Sequence, residues 1–326
     1  MAERVLVIGG SGFIGRRIVA ALQAEAAWQI RVASRRPAAS GVEIVAADVL
    51  DRAALARALD GCDAVVNGVT GSAATIVAGA KSLAAALASS PCHRLVHLSS
   101  MAVYGEIDGR IDEATPLGVG GGWYAEAKRE AESLLLAAAS THLSVVALRP
   151  GCVHGPQSHL WVERFGRWLR SGRLGDLGAA GDGWSNLVHV DDVAQAVVAG
   201  LHWQSDGERR TLVANLAAPD SPRWNAYLVA LALALDATPA PRIPGWQLKL
   251  DSKLAAVPLR VWERLAPKLG VPAHWAPPAL PPSLLHLLQQ DRRLIADVAT
   301  NVLGVKWTSF TAGVEQSAAW FRETVA

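Results

Sequence analysis

Residues 5–15 decide the fold, and they read V-L-V-I-G-G-S-G-F-I-G. Residues 5–8 form a continuous apolar run, which is typical of a parallel strand buried on both faces. Gly9, Gly12 and Gly15 follow at three-residue spacing, and residues 16–23 continue with the apolar periodicity of a helix. Glycine allows a tight turn and a close approach to a pyrophosphate, while the N-terminus of the helix attracts phosphate. A purely structural turn would need the same glycines, but the strand before and the helix after favour a dinucleotide site.

Composition limits the class of protein. The 326 residues allow one large domain or two joined domains, and a net charge of +2 gives no sign of a nucleic-acid partner. Cys62, Cys92 and Cys152 are scattered without a C-x-x-C pair, so we expect reduced thiols and no metal site. No leader precedes the first strand, and the longest apolar run, residues 226–235, is shorter than the ~20 residues of a membrane span. These features predict a soluble, cytoplasmic protein without a membrane partner.

Short apolar strands alternate with helical segments along the first half of the chain. Strands are predicted at 5–8, 30–33, 44–46, 64–66, 95–98 and 145–148, and helices at 52–59, 75–88 and 125–139. This alternation predicts an α/β fold with a doubly wound parallel Rossmann sheet, whose ligands bind at the carboxyl ends of the strands.

The pattern changes after Pro150, where tryptophan and proline become frequent. We therefore divide the chain into a dinucleotide-binding domain, 1–150, and a smaller interleaved substrate-binding region, 151–185 and 218–326. A helix at 190–201 and a strand at 211–215 indicate that residues 186–217 return to the first domain. Residues 246–269 are interpreted as helices covering a pocket, because Pro258 and Pro267 interrupt any single basic helix on a membrane surface.

Tyr124 and Lys128 lie four residues apart in Y-A-E-A-K, so both side chains share one face of a predicted helix. A neighbouring ammonium and a cationic nicotinamide would lower the pKa of the phenol towards neutrality, where it exchanges protons efficiently. Ser100, in the loop after the fifth strand, would orient the substrate oxygen. The alternative is a tyrosine packed on an amphipathic helix with its lysine in solvent.

Together these motifs resemble those of extended short-chain dehydrogenases/reductases, in the NAD(P)-dependent epimerase/dehydratase superfamily. The resemblance rests on residues 9–15, 47–51, 98–105, 148–156, 186–194 and 303–307, which occur in the family's order. It implies that Tyr124 is the general acid/base, that Lys128 holds the nicotinamide ribose and that Ser100 binds the reacting oxygen. It also implies a homodimer formed through helices 75–88 and 124–139.

The same resemblance and the glycine loop give the set of expected cofactor contacts. These are Gly9, Ser11, Gly12, Phe13, Ile14, Gly15, Ser34, Arg35, Arg36, Asp48, Val49, Gly68, Tyr124, Lys128, Pro150 and Val153. Ser34 stands where an NAD enzyme holds an acidic residue for the ribose hydroxyls, and two arginines follow it. Because arginine suits a 2′-phosphate, we predict NADP(H) in preference to NAD(H), the alternative being two solvated arginines in a loop.

Departures from the family pattern narrow the chemistry. Met101 and Ala102 replace the Asp-Glu pair of dehydratases, and Cys152 and Ser185 replace the Asn and Arg that serve a substrate diphosphate. Trp161, Trp168 and Trp184 suggest a pocket for a less charged small molecule, whereas His154 and His189 are interpreted as packed residues. We therefore predict an NADP(H)-dependent oxidoreductase acting on a carbonyl or alcohol. The alternatives are a sugar-nucleotide epimerase and a non-catalytic cofactor-binding regulator.

Overall fold

A seven-stranded parallel sheet forms the centre of the molecule. The computed structural model describes residues 2–35, 41–207, 210–255, 259, 262, 265–269 and 280–325. The strands include β1 (Glu3–Ile8), β2 (Trp28–Ser34), β3 (Glu43–Ala46), β4 (Ala64–Asn67), β5 (Arg94–Leu98), β6 (Gly109–Ile111), β7 (Ser144–Pro150), β8 (Cys152–His154), β9 (Leu187–His189), β10 (Thr211–Leu216) and β11 (Arg292–Leu294). The central sheet has the order β10-β7-β5-β4-β1-β2-β3, and β6 with β11 and β8 with β9 form two small parallel sheets.

Helices cover both faces of this sheet. They include α1 (Phe13–Gln23), α2 (Arg52–Leu59), α3 (Ala73–Leu87), α4 (Gly122–Leu136), α5 (Arg164–Arg170), α6 (Val190–His202), α7 (Trp224–Ala234), α8 (Gly245–Leu250), α9 (Pro282–Gln289), α10 (Asp297–Asn301) and α11 (Phe310–Thr324). Side chains of β1 point alternately into two cores. Val5 and Val7 pack with α1 and α6, whereas Leu6 and Ile8 pack with α2 and α3. The predicted doubly wound Rossmann fold is therefore confirmed.

The chain returns to the sheet before its last third. Helix α6 packs against α1, and β10 pairs with β7 at the edge of the central sheet, with Leu212 opposite Val146. The helix predicted at 190–201 and the strand predicted at 211–215 are confirmed within a residue of their ends. The division into domains stays a prediction, but this pairing is the arrangement that an interleaved second region requires.

A third core, rich in aromatic side chains, lies beyond the carboxyl end of the sheet. Phe165, Trp168, Trp224, Tyr227 and Phe321 are all nearly fully buried in it. They come from α5, α7 and α11, so this core joins segments more than 150 residues apart in the chain. In the part of the chain that the structure describes, no helix is both long and apolar enough to span a membrane.

Candidate active site

The loop between β1 and α1 can be built only from glycine at two positions. Gly9 has a φ of +85°, and a Cβ there would lie 2.8 Å from the Gly68 carbonyl oxygen. A Cβ on Gly15 would lie 2.1 Å from the Gly9 carbonyl oxygen, so α1 packs directly on the loop. Gly12 precedes α1 without a side-chain cap, which leaves the N–H groups of Phe13 and Ile14 without helical partners. Free N–H groups at a helix N-terminus suit a pyrophosphate, so this loop fits the dinucleotide predicted from the sequence.

The residues expected at the adenosine end follow β2 and β3 at the same sheet edge. Ser34 ends β2, and Arg35 is exposed directly after it. The Asp48 carboxylate accepts a hydrogen bond of 2.9 Å from the Leu50 N–H, and Val49 packs near Gly79 of α3. Arg36 lies outside the described residues.

A cavity of about 930 Å³ lies at the carboxyl ends of the central strands. Eleven of the predicted site residues line it: Gly9, Gly12, Phe13, Ile14, Gly15, Gly68, Ser100, Tyr124, Lys128, Pro150 and Val153. Ser11, Ser34, Arg35, Asp48 and Val49 are not in its wall. A dinucleotide extended from the glycine loop towards β2 would reach from this cavity to the residues that follow β2 and β3.

The cavity brings together the three residues expected to carry the chemistry. Ser100 ends the β5 loop, and its hydroxyl accepts a hydrogen bond of 3.2 Å from the Ala102 N–H. Tyr124, in the first turn of α4, lines the same cavity, and the Ser100 hydroxyl is near enough to lower the pKa of its phenol. Lys128 lies one turn further along α4 and donates to the main-chain carbonyls of Leu98, at 2.9 Å, and Val69, at 3.2 Å.

The pKa values of Tyr124 and Lys128 both depart from their ordinary values, and that of Tyr124 differs from the one predicted from the sequence. Burial raises the pKa of the Tyr124 phenol above its ordinary value, and the Ser100 hydroxyl only partly opposes this. The Lys128 ammonium donates to the two carbonyls and does not contribute to lowering the Tyr124 pKa. Burial lowers the pKa of Lys128 to about 8, against the favourable charge of Glu132. The predicted lowering of the Tyr124 pKa therefore needs further positive charge beside the phenol.

A buried ion pair, which sequence reasoning missed, joins α4 to β7. The Arg149 guanidinium from β7 donates to the Glu132 carboxylate at 2.5 Å, and both side chains are at most 5% exposed. Arg149 also donates to the Tyr104 hydroxyl at 2.7 Å, which in turn donates to the Asn215 side-chain oxygen at 2.8 Å. Glu132 lies four residues after Lys128 and eight after Tyr124. This spacing places all three side chains on one face of α4, so the sequence already indicated that Glu132 points the same way. The network fixes one face of α4 against β7.

The substrate half of the cavity is largely apolar. Its wall includes Met101, Trp161, Phe165, Trp168, Leu284 and Leu287. The expectation for Trp161 and Trp168 is thus met in position, but that for Trp184 is wrong. Trp184 lies outside the cavity between the guanidinium groups of Arg223 and Arg293, at 4.7 and 4.4 Å from its ring centre. Sequence reasoning also missed Leu284, Leu287 and Arg292, because no local pattern ties α9 and β11 to the sheet edge.

Other polar residues of the motifs have structural surroundings. The His154 and His189 rings pack 5.5 Å apart, and burial lowers the pKa of both, that of His154 to about 3. Ser185 is buried and hydrogen-bonds Ser221 at 3.0 Å, and Cys152 is a buried thiol. Within the described ranges, no group of three or more His, Cys, Asp or Glu residues could hold a metal ion.

Comparisons with known proteins identify the family. The family model for the NAD dependent epimerase/dehydratase family matches residues 5–215. A 3-diazoavenalumate denitrifying reductase from Streptomyces sp is 31% identical over 277 residues, covering 74% of this chain and 88% of the relative. The 2-alkyl-3-oxoalkanoate reductase of Stenotrophomonas maltophilia (strain K279a) is 28% identical over 281 residues, covering 80% of this chain and 84% of the relative.

A solved structure has the same fold over nearly the whole chain. The dTDP-glucose 4,6-dehydratase from Bacillus anthracis str. Ames, in complex with NAD, matches with a TM-score of 0.74 at 20% identity. The match covers 99% of this chain and 98% of that chain. Since the family model spans more than half of the sequence and includes the glycine loop, Ser100, Tyr124 and Lys128, the protein belongs to the NAD dependent epimerase/dehydratase family and is an NAD(P)-dependent enzyme.

Proposed function

We propose that the protein is an NADP(H)-dependent oxidoreductase that interconverts a carbonyl and an alcohol, with Tyr124 as the acid/base. The observation that carries this proposal is the Ser100–Tyr124 hydroxyl pair, which faces a cavity whose substrate half is mainly apolar. Two relatives are named as reductases, and the name of one of them gives a 3-oxoalkanoate, a carbonyl compound, as its substrate. Substrate binding is assigned to residues 151–185 and 218–326.

The roles of the side chains follow from their contacts. When bound, the nicotinamide dinucleotide supplies or accepts the hydride. Ser100 hydrogen-bonds the substrate oxygen and holds it next to the phenol of Tyr124, which donates the proton that completes an alcohol. Lys128, fixed by the carbonyls of Leu98 and Val69, has one N–H left to hold the cofactor ribose. The positive charge of an oxidised nicotinamide beside the phenol would offset the burial that raises the Tyr124 pKa.

The preference for NADP(H) is argued from the end of β2. Ser34 offers no carboxylate that would repel a 2′-phosphate, and the exposed guanidinium of Arg35 follows directly. A phosphate–guanidinium pair is a strong charge-assisted interaction.

The test is turnover of a panel of ketones, aldehydes and alcohols by the unmodified protein and by Tyr124→Phe. We expect the variant to lose roughly 10²–10⁴-fold in kcat while its affinity for NADPH changes little, because the glycine loop dominates cofactor binding. Tyr227→Phe is the matched control, since Tyr227 is a buried tyrosine whose hydroxyl donates to the Trp161 carbonyl outside the hydroxyl pair. A Tyr124→Phe protein that keeps most of its activity would refute the mechanism.

A sugar-nucleotide epimerase is the second candidate. Arg164 and Arg292 line the cavity and are the kind of group that binds a diphosphate. However, Cys152 is buried, and Ser185 is hydrogen-bonded away from the cavity wall. Calorimetry with UDP in the presence of NADP separates the two: we expect no binding, and low-micromolar affinity would favour the epimerase.

A further inference from the structure

Arg292 is a buried cation in the wall of the substrate cavity. It is the first residue of β11 and is only 4% exposed. One N–H group of its guanidinium donates to the Gly105 carbonyl at 2.6 Å. Its Nε is buried and meets no acceptor among the residues that the structure describes. Across the same described ranges, no carboxylate lies within ion-pair distance of it, and the charge of Asp108 acts on it from the exposed surface.

Burying a guanidinium without a counterion and with an unpaired N–H destabilises the folded protein. Arginine carries five N–H donors, and a buried charge normally has both a counterion and its full set of hydrogen bonds. Burial lowers the pKa of Arg292 because it disfavours the charged form of the guanidinium. By contrast, the buried Arg149 has Glu132 and Tyr104 as partners. A bound anion at Arg292 would supply the acceptor that the described protein groups do not provide.

The position of Arg292 relates this anion to the reacting oxygen. Gly105 follows the 3₁₀ turn Met101–Tyr104, which Ser100 caps. Gly105 is five residues after Ser100, and at ~2 Å of rise per residue the main chain between them spans roughly 10 Å. The Gly105 carbonyl that Arg292 contacts therefore lies about this far from Ser100. A hydrogen bond at each end leaves about the length of one aromatic ring between the two ends of a substrate. Met101, Leu284 and Leu287 line the same cavity, and their side chains suit such an apolar body.

Other charged groups near this end do not replace the missing partner. Glu106 lines the same region, but it is exposed, and its carboxylate lies 3.4 Å from the Gly121 N–H at the start of α4. Gln290, which also lines the cavity, is a donor to the Gly105 carbonyl at 3.5 Å and brings no negative charge.

We propose that Arg292 binds a carboxylate of the substrate, so that the enzyme acts on carbonyl or alcohol compounds bearing one carboxylate on an apolar or aromatic body. A carboxylate accepts two parallel hydrogen bonds from a guanidinium, and it carries less charge than the diphosphate whose usual partners this chain lacks. This proposal rests on the proposed function, because it names the substrate class of the same site.

The test compares 4-formylbenzoate with its methyl ester, which has the same ring and aldehyde without the charge. With NADPH and the unmodified protein, we expect KM for the acid to be at least tenfold lower, with similar kcat. Arg292→Gln should remove this difference, and Arg292→Lys should keep part of it. Arg293→Gln is the control, because Arg293 is the next residue of β11 but stacks on Trp184 outside the cavity.

Each outcome has a distinct meaning. Equal KM values for acid and ester in the unmodified protein would overturn the role of Arg292, and that comparison does not depend on any variant folding. A preference that survives in folded Arg292→Gln would overturn it too. If neither compound is turned over, the reductase proposal fails for carboxylate-bearing aldehydes. Calorimetry with 4-formylbenzoate then tests the carboxylate site at Arg292 independently of turnover. Binding that disappears in Arg292→Gln but is kept in Arg293→Gln would support the carboxylate site, and absence of binding to the unmodified protein would refute it.

Discussion

Gly15→Ala is the sharpest test of the cofactor loop, because the collision it creates is with main-chain atoms. The new Cβ would lie 2.1 Å from the Gly9 carbonyl oxygen and 2.8 Å from the Gly10 Cα. Ordinary van der Waals contact begins near 3.4 Å, so α1 and the loop must separate by about 1.3 Å. The N–H groups of Phe13 and Ile14 move with that helix. The phosphate cradle is therefore displaced together with the backbone.

The expected loss of folding stability and of NADPH affinity follows from this displacement. Overpacking of this kind costs about 1–3 kcal/mol of folding stability, and a shift of about 1 Å in a positioned group costs about 100-fold in function. We expect NADPH affinity to fall by about 100-fold and the midpoint of urea unfolding to decrease. Both are measured on purified protein, by calorimetry and by circular dichroism. Gly245→Ala is the matched control, since among the described residues no atom beyond its chain neighbours and its own helix backbone lies within 4 Å of a Cβ there. Affinity within threefold of the unmodified protein would show that the loop does not hold the cofactor in this way.

Three further results are expected. Arg35→Ala should weaken NADPH at least tenfold and leave NADH nearly unchanged, as measured by fluorescence titration, and equal effects on both would contradict the assigned preference. Burial lowers the pKa of Lys128 to about 8, so the cofactor-free protein loses this ammonium as pH rises through 8. NADPH affinity should therefore fall between pH 7 and 9.5, with proton uptake on binding measured by calorimetry in two buffers, whereas a flat profile would exclude a role for the charge. Finally, light scattering at micromolar concentration should give the mass of a homodimer formed through α3 and α4, and a monomer mass would exclude it.

The sequence alone determined the class of fold and most of the cofactor side of the site. Helices and strands have different periods, so residues 5–8, 52–59 and 190–201 carry their own structural signal. The glycines at positions 9 and 15 are equally local, because each must fit a turn within a few residues. The four-residue spacing of Tyr124 and Lys128 likewise places both on one helix face. Parallel strands then bring the loops after β1, β4, β5 and β7 to a single edge.

The tertiary structure decided what lies opposite these residues. Arg292 and Leu284 reach the cavity from more than 150 residues beyond Tyr124, and Trp184 is stacked elsewhere by Arg223 and Arg293. The direction of the Tyr124 pKa depends on burial, which the Ser100 hydroxyl opposes only in part. Such contacts join segments distant in the chain, and residue spacing carries no signal for which distant segments pack together. The glycine loop expected to hold a dinucleotide was therefore readable from local sequence, whereas the packing of the last third of the chain decided the shape and charge of the opposite side of the cavity.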